Sequence, residues 1–477
     1  MNTQQQNINV TPTFIIKHRT TITIATCILI LMELFDATIL NTALPVIAAS
    51  LSVPMLNLKT SITGYLVVLA ILTPISGYIA DKYGIKRCLN YAILLFLLGS
   101  ILCSIANTAT ALSVSRIIQG AGAAMMTPVG RILFIKMYTP QELTKIMPKT
   151  ALVIMVGPIL APICGGIITT YFTWHWIFLI NIPIGIITLY LINSYLPNNI
   201  IAPVAKFNYI GFILIGITFA TINFGLDVYS DGTFSHQLIY ILFILGICSG
   251  ISYVLYHKRG HDLFIDLKLL KINLFRSCII NTTFGMCATS AIGLIIPIIL
   301  QGQLHLTPLQ SGLLTFPMAI GALIIRPILS VVYKHVSLEN LLIISTLTTS
   351  LTLIAFIFLD AQSSILALIC IELIYGMSYG ALLSTNAISA FNQIEPHQKT
   401  KAVSFHSSMH LFAMSLGVGI GSTVFMNLLL FHHAQLGNIN DYTLVFTALH
   451  ECVIILGAIS FIAVIWQLLI KISVRNT

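Results

Sequence analysis

Three charged residues stand where a charge is expensive. Glu33, Asp36 and Arg116 each lie inside a long apolar run, and a bare cation at the middle of a bilayer costs roughly 2.5 to 3.5 kcal/mol on insertion scales. Charges kept in such runs face the interior of a helix bundle and take a partner of opposite sign. Asp36 is about five residues from the end of its run and Arg116 about six from the start of its own, so at 1.5 Å per residue an outward and an inward helix bring them nearly level. Glu33 precedes Asp36 by three residues and shares its helix face. Two carboxylates on one turn in a low dielectric do not readily both ionise, which suits one of them to load and release a proton. Two plainer readings stand beside this one: a purely structural ion pair between Asp36 and Arg116, and a neutral, hydrogen-bonded Glu33 without a proton duty.

The elements that must position these residues follow from composition. Of 477 residues, 57% are hydrophobic and 8% are charged, against about 25% charged in an ordinary soluble domain. With 23 basic and 14 acidic side chains, 52.2 kDa and a mean hydropathy of +0.96, the chain cannot cover a water-soluble globule with polar groups. It reads as all-α and polytopic. Fourteen apolar runs, each about the 20 residues a spanning helix needs, fall at 20–41, 60–80, 88–106, 110–130, 149–171, 175–196, 209–226, 237–256, 274–301, 310–333, 338–359, 364–388, 402–430 and 443–470. The first run carries Glu33 and Asp36 with no small-residue cleavage site after it, so it reads as a retained helix of a protein beginning near residue 1.

Four segments result: a cytoplasmic tail (1–19), a six-helix bundle (20–197), a linker with two extra spanning helices and a cytoplasmic interfacial segment (198–271), and a second six-helix bundle with its tail (272–477). The interfacial segment mixes Leu263, Phe264, Leu267, Leu270 and Leu274 with Asp266, Lys268, Lys271 and Arg276, the pattern of a short helix lying at the membrane surface. Placing both termini in the cytoplasm puts all but two of the 23 basic residues on the inner side, the exceptions being Lys59 and Arg116. The net charge of +9 therefore belongs to an inner face against anionic lipid and is no sign of nucleic-acid binding. The nine cysteines fall mostly inside apolar runs without a CxxC pair, so neither disulfides nor a metal site is expected.

Several motifs have defined spacing. Gly77, Asp81, Lys82, Gly84, Lys86 and Arg87 fit G-x-x-x-D-[KR]-x-G-x-[KR]-[KR]: Gly77 for close helix approach, Gly84 for a tight turn, Asp81 as acceptor for a helix N-terminus or neighbouring cations. This resembles the cytoplasmic gate motif of the major facilitator superfamily, whose charge cluster latches the outward-open state. The run from Arg116 through Gln119, Gly120 and Gly122 to Ala124 is similar to the R-x-x-Q-G-x-G-x-A pattern of proton-coupled members, and Leu34 to Pro45 resembles their first-helix segment around Asp36, with Phe35 inserted. Gly157, Pro162, Gly165 and Gly166 resemble the antiporter motif G-x-x-x-G-P-x-x-G-G, Ala161 replacing one glycine. The segment Trp174 to Gly185 is very like W-x-W-I-F-x-I-N-x-P-I-G, its aromatics expected to form a belt at the outer interface. Where the gate motif should repeat near residue 334 only Lys334 matches, so the inner gate is expected to be asymmetric.

Together with the six-two-six count, these matches resemble the fourteen-helix drug:proton antiporter family of the major facilitator superfamily. The resemblance implies an inner-membrane exporter that exchanges amphipathic or hydrophobic small molecules for protons, with Asp36, Arg116 and Glu33 in proton coupling. Gln119 and Glu372 are candidate cavity residues, Glu372 equally a structural hydrogen-bonding group. A dedicated metabolite or siderophore exporter stays open, as does a transporter-shaped receptor without flux. No catalytic set, cofactor or metal is expected; His406 and His410, four apart, lack a third ligand and read as packing residues, and His432 and His433 as solvated. The implied partners are substrate, protons and membrane lipid. A monomer and an arrangement with periplasmic adaptor and outer-membrane components are both compatible with the sequence.

The orientation is testable by labelling single cysteines in intact cells with an impermeant reagent. One at Ser230, in the expected outer loop 227–236, should react and one at Pro140 should not; the reverse pattern would invert the topology.

Overall fold

The computed structural model describes residues 12–197, 207–231, 235–261, 263–360, 364–395 and 398–475. Among them no strand occurs. The helices are α1 (Pro12–Ser50), α2 (Lys59–Tyr83), α3 (Ile85–Ser104), α4 (Ala109–Met137), α5 (Pro140–Tyr171), the single turn α6 (Trp176–Leu179), α7 (Asn181–Tyr195), α8 (Tyr209–Asp231), α9 (His236–Lys258), α10 (Asn273–Ile298), α11 (Pro308–Val332), α12 (Leu338–Ile354), α13 (Ile365–Asn392), α14 (Lys399–Phe431) and α15 (Tyr442–Arg475). Thirteen helical segments are long and apolar enough to cross a membrane, Trp176–Tyr195 counting as one, and α5 adds a shorter apolar stretch, Met155–Tyr171. These account for the fourteen runs read from hydropathy.

Helices begin where a side chain can satisfy their first free N–H groups. Thr108 accepts from the Ala111 N–H (3.1 Å) and Ser364 from that of Ala367 (3.2 Å). Thr139 with Glu142 and Thr307 with Gln310 form full capping boxes, each followed by proline at the first helical position. Gly84 alone joins α2 to α3 with φ +92°, a conformation that favours a residue without Cβ.

Helices alternate in direction, which defines two faces: one bearing the Gly84 turn, the other the C-terminus of α1 at Ser50. In the first bundle α4 packs on α2 and α3, and α1 on α5; in the second, α13 packs on α11 and α12, and α10 on α14. Lipid offers no hydrophobic drive between helices, so close backbone approach does the work. A Cβ on Gly122 would lie 2.5 Å from the Phe96 nitrogen of α3, and one on Gly376 would collide with the Met318 carbonyl of α11. Gly77 has more room than its motif suggests, its nearest neighbour being the Ile132 side chain at ordinary contact distance.

Helix α8 lies on both α2 and α14. It extends to Asp231, so Asp227 is a buried helix residue accepting from the Thr63 hydroxyl at 2.5 Å, not the first residue of a loop. The drop in hydropathy at Asp227 ends the apolar run but not the helix. The segment expected as a surface helix is a five-residue 3-10 turn, Leu267–Lys271, tucked into the protein. Leu263, Ile265 and Leu269 are buried, and the Tyr253 hydroxyl donates to the Ile265 carbonyl at 2.8 Å.

Three hydrogen bonds join the two bundles in the half nearer Ser50. Leu309 N–H donates to the Thr170 hydroxyl (3.2 Å), Gln301 to the Thr42 carbonyl (2.8 Å) and Ser415 to the Thr63 carbonyl (3.1 Å). On the α5–α11 seam a Cβ on Gly166 would sit 2.6 Å from the Pro308 carbonyl oxygen, and one on Gly312 would strike the Pro162 carbonyl. The Ser50 side is therefore closed by direct contact between the bundles.

Overpacking at such a contact costs about 1 to 3 kcal/mol, so Gly312→Val should shift the population away from the closed seam by roughly 5- to 150-fold. A cysteine at Thr170 should then react faster with a water-soluble maleimide, and an unchanged rate would refute the need for close approach at Gly312.

Candidate functional site

The site is built around one carboxylate. Asp36 of α1 and Arg116 of α4 are both about 1% exposed, and Arg116 Nη1 donates to Asp36 Oδ2 at 2.5 Å. Two amides hold the other oxygen: Gln119 Nε2 of α4 and Asn181 Nδ2 of α7 each donate to Asp36 Oδ1 at 2.8 Å. Gln119 Oε1 accepts from Arg116 Nη1 at 2.7 Å, and its Nε2 also reaches Ser100 Oγ of α3 at 2.9 Å. From α2, the Ser61 carbonyl accepts from Arg116 Nε (3.4 Å) and the Tyr65 ring lies 4.0 Å under the guanidinium, a cation–π arrangement strengthened by exclusion of water. Five helices of the first bundle thus converge on one ion pair.

The two residues expected to be level therefore meet directly. Gln119, expected as a cavity residue, is fully buried inside this network. Asn181, Ser100 and Tyr65 carry no charge and so give no signal of this role in the sequence, although Asn181 stands within the quoted aromatic motif. Those rings divide: Trp176 is exposed as an interfacial residue would be, whereas Trp174 is buried, its Nε1 donating to the Ser50 hydroxyl (3.0 Å) and its ring stacked on His175.

Glu33 lies one turn from Asp36 and is 6% exposed. It does not touch Arg116. Its Oε2 accepts the backbone N–H of Thr127 at 3.0 Å, beside Pro128 within α4. Glu372 of α13 is 2% exposed and has neither hydrogen bond nor ion pair among the described residues; the structural hydrogen bond weighed for it is absent.

At the Gly84 face, Asp81 pairs with Lys136 of α4 at 3.2 Å. Lys82 lies over the rings of Tyr83 and Tyr78, Lys86 donates to the Asn193 carbonyl near the end of α7 (2.8 Å), and Arg87 is exposed. The cations of the motif are thus dispersed, and the acid is tied within its own bundle. Nearby, Arg19 donates through two nitrogens to Glu142 at 2.8 and 2.6 Å. That guanidinium, helped by the Thr139 N–H and hydroxyl, holds Glu142 down at about 2, so it is ionised at any physiological pH. In the antiporter motif Gly157 and Gly165 face Leu31 and Ile39 of α1 while Gly166 faces α11, so the motif serves both the bundle interior and the seam. In the second bundle Tyr333 lies 3.5 Å from the Thr385 hydroxyl where the first has its Asp81–Lys136 pair.

His406 Nε2 lies 3.1 Å from the Asn386 amide nitrogen, and no group of three metal-ligating side chains occurs among the described residues. His432 is not simply solvated, since its Nε2 is 3.0 Å from Glu451.

The model of the Major Facilitator Superfamily matches residues 26–418 and 278–476. The chain is 31% identical over 394 residues to an Enterobacter sp. (strain 638) protein named "Putative multidrug resistance protein MdtD", covering 82% of each. It is 29% identical over 393 residues to "Probable transport protein HsrA" of Haemophilus influenzae, covering 82% of this chain and 85% of that one. Among solved structures, a peptide transporter POT in complex with sulfate aligns with TM-score 0.68 at 15% identity, covering 92% of this chain and 93% of that one. The nucleoside transporter NupG aligns with TM-score 0.61 at 13% identity, covering 94% and 99%. These last two likenesses speak for the fold alone. With a family model spanning most of its length, a relative above 30% identity and fourteen apolar helices, the chain belongs to the major facilitator superfamily and is a multi-pass membrane transporter, not an enzyme.

Proposed function

We propose that this transporter exchanges amphipathic or hydrophobic small molecules for protons across the inner membrane, exporting them by rocking of its two bundles, with both termini in the cytoplasm. The observation that carries this reading is the buried Asp36–Arg116 pair at the meeting of five helices. A proton arriving at Asp36 converts a salt bridge into a neutral acid beside an arginine. That removes the attraction joining α1 to α4 and leaves Arg116 Nη1 with Gln119 as its hydrogen-bonding partner. The cost of stranding a buried charge, about 3 to 5 kcal/mol when a partner is deleted, is the free energy by which protonation can favour a different packing of the bundle. Loss of the proton restores the pair. With the Ser50 side outward, closure of that side corresponds to an inward-facing state that takes substrate from the cytoplasm or inner leaflet. The names of the MdtD relatives support a multidrug-type substrate range, and a cavity that recognises such compounds relies on adaptable apolar surface rather than a fixed polar code.

The test begins with a susceptibility and export screen of a deletion strain against its complemented parent, which identifies a reporter compound. In proteoliposomes holding that compound, Asp36→Asn should abolish export driven by a pH gradient while the protein still inserts. Asn181→Ala removes one of three groups donating to Asp36. A hydrogen bond to a charged group contributes about 1.5 to 3 kcal/mol, so its gradient-driven rate should fall on the order of tenfold or more. An Asp36→Asn protein that still drives uphill export would refute Asp36 as the coupling site.

A further inference from the structure

Four acids are buried among the described residues: Glu33, Asp36, Asp227 and Glu372. The first three have a hydrogen bond or ion pair. Glu372 alone has none. Its place in the fold is that of Arg116. Helices α4 and α13 are each capped by a hydroxyl, at Thr108 and Ser364; Arg116 and Glu372 follow their caps by the same interval, as do Gly120 and Gly376. Gly120 abuts the backbone of Tyr65 on α2, and Gly376 that of Met318 on α11. Helix α13 thus repeats α4 in the second bundle, and Glu372 lies at the depth of the ion pair in the first.

There the likeness ends, because the second bundle supplies no lysine or arginine at this depth, and the α14 histidines, His406 and His410, lie toward the Gly84 half, His406 beside Asn386. Between residues 274 and 470 its only lysines and arginines are Arg276, Arg326, Lys334, Lys399 and Lys401, all toward the Gly84 ends of α10, α11 and α14. On its own helix the titratable neighbours of Glu372 are Tyr375, whose hydroxyl donates to the Thr289 carbonyl of α10 (3.4 Å), and Tyr379. The Glu339 of α12 is at the Gly84 end. On α15, His450 is engaged by the Leu359 carbonyl (2.6 Å) and Glu451 by His432. An ionised carboxylate at this depth requires a counter-charge, and a side chain 2% exposed admits only a small one.

We propose that Glu372 is a second proton-carrying site, which takes up and releases a proton independently of Asp36, so that each bundle holds one such site and a transport cycle moves two protons. This rests on the proton coupling proposed above. The probe is the proton itself, with no substrate needed. Infrared spectra of the purified full-length protein, titrated through neutral pH in H2O and D2O, follow carbonyl bands of protonated carboxyl groups, and a pH jump with an indicator dye counts protons taken up per chain. Glu372→Gln should lose one exchange-sensitive carboxyl band and one proton of uptake. Asp36→Asn should keep that band and lose a different one. Glu372→Asp should retain a shifted band, which separates loss of the acid from misfolding. Identical spectra and uptake in wild type and Glu372→Gln, or a Glu372 band that does not change with pH, would overturn the second site and leave Asp36 untouched. A deficit in Glu372→Gln without one in Asp36→Asn would instead remove Asp36 as the proton carrier.

Discussion

An arginine held in an apolar helix cannot be left alone, and most of the first bundle follows from that constraint. The Arg116 guanidinium needs an anion, a set of acceptors and exclusion of lipid at once. Asp36 provides the charge, Gln119 and the Ser61 carbonyl take further N–H groups, and the Tyr65 ring covers the planar face. Asn181 and Gln119 then satisfy the carboxylate oxygen that Arg116 does not reach. A buried pair contributes little net stability over an apolar replacement, yet removing one member is strongly unfavourable. It therefore works poorly as a strut, and its dependence on charge is what the proton coupling proposed above would use as a switch between packings of α1 against α4.

A switch of this kind needs a structure able to rearrange without dissolving. Close-packed glycines occur in two settings, with different consequences. Gly122 against α3 and Gly376 against α11 weld helices within a bundle, whereas Gly166 and Gly312 bring the bundles together along α5 and α11. Within a bundle such contacts are reinforced by many neighbouring helices. Along the seam they are accompanied by three hydrogen bonds, all in the Ser50 half. Two bundles that meet along small-residue seams are what alternating access requires.

What was legible in the sequence was whatever lipid forbids. The helix count follows from the length of apolar runs, and the Asp36–Arg116 contact from the cost of an unpaired charge. Asn181, Ser100 and Tyr65 are hidden because uncharged polar residues are common in spanning helices and carry no obligation to a particular partner. Asp227 shows the converse: a single acid lowers the local hydropathy enough to end a run, although the Thr63 hydroxyl allows it inside. Gly77 shows a third limit, since its motif implies an intimate helix contact but the Ile132 side chain facing it leaves room for a methyl group. Motif spacing records which residues occur together, whereas the distance between helices depends on side chains elsewhere.

Asp227 also bears on how the two extra helices relate to the rest. Thr63 donates its hydroxyl to Asp227 of α8 and accepts at its carbonyl from Ser415 of α14. Ser415 in turn donates to Asn223, one turn from Asp227. The polar groups of α2, α8 and α14 therefore form one cluster on the seam opposite α5–α11, buried where water cannot substitute for a lost bond. Movement of α2 relative to α14 must alter bonds that α8 makes to both. The inserted pair is thus no peripheral addition to a twelve-helix core, because its position is tied to the same seam that the bundles must break to change face.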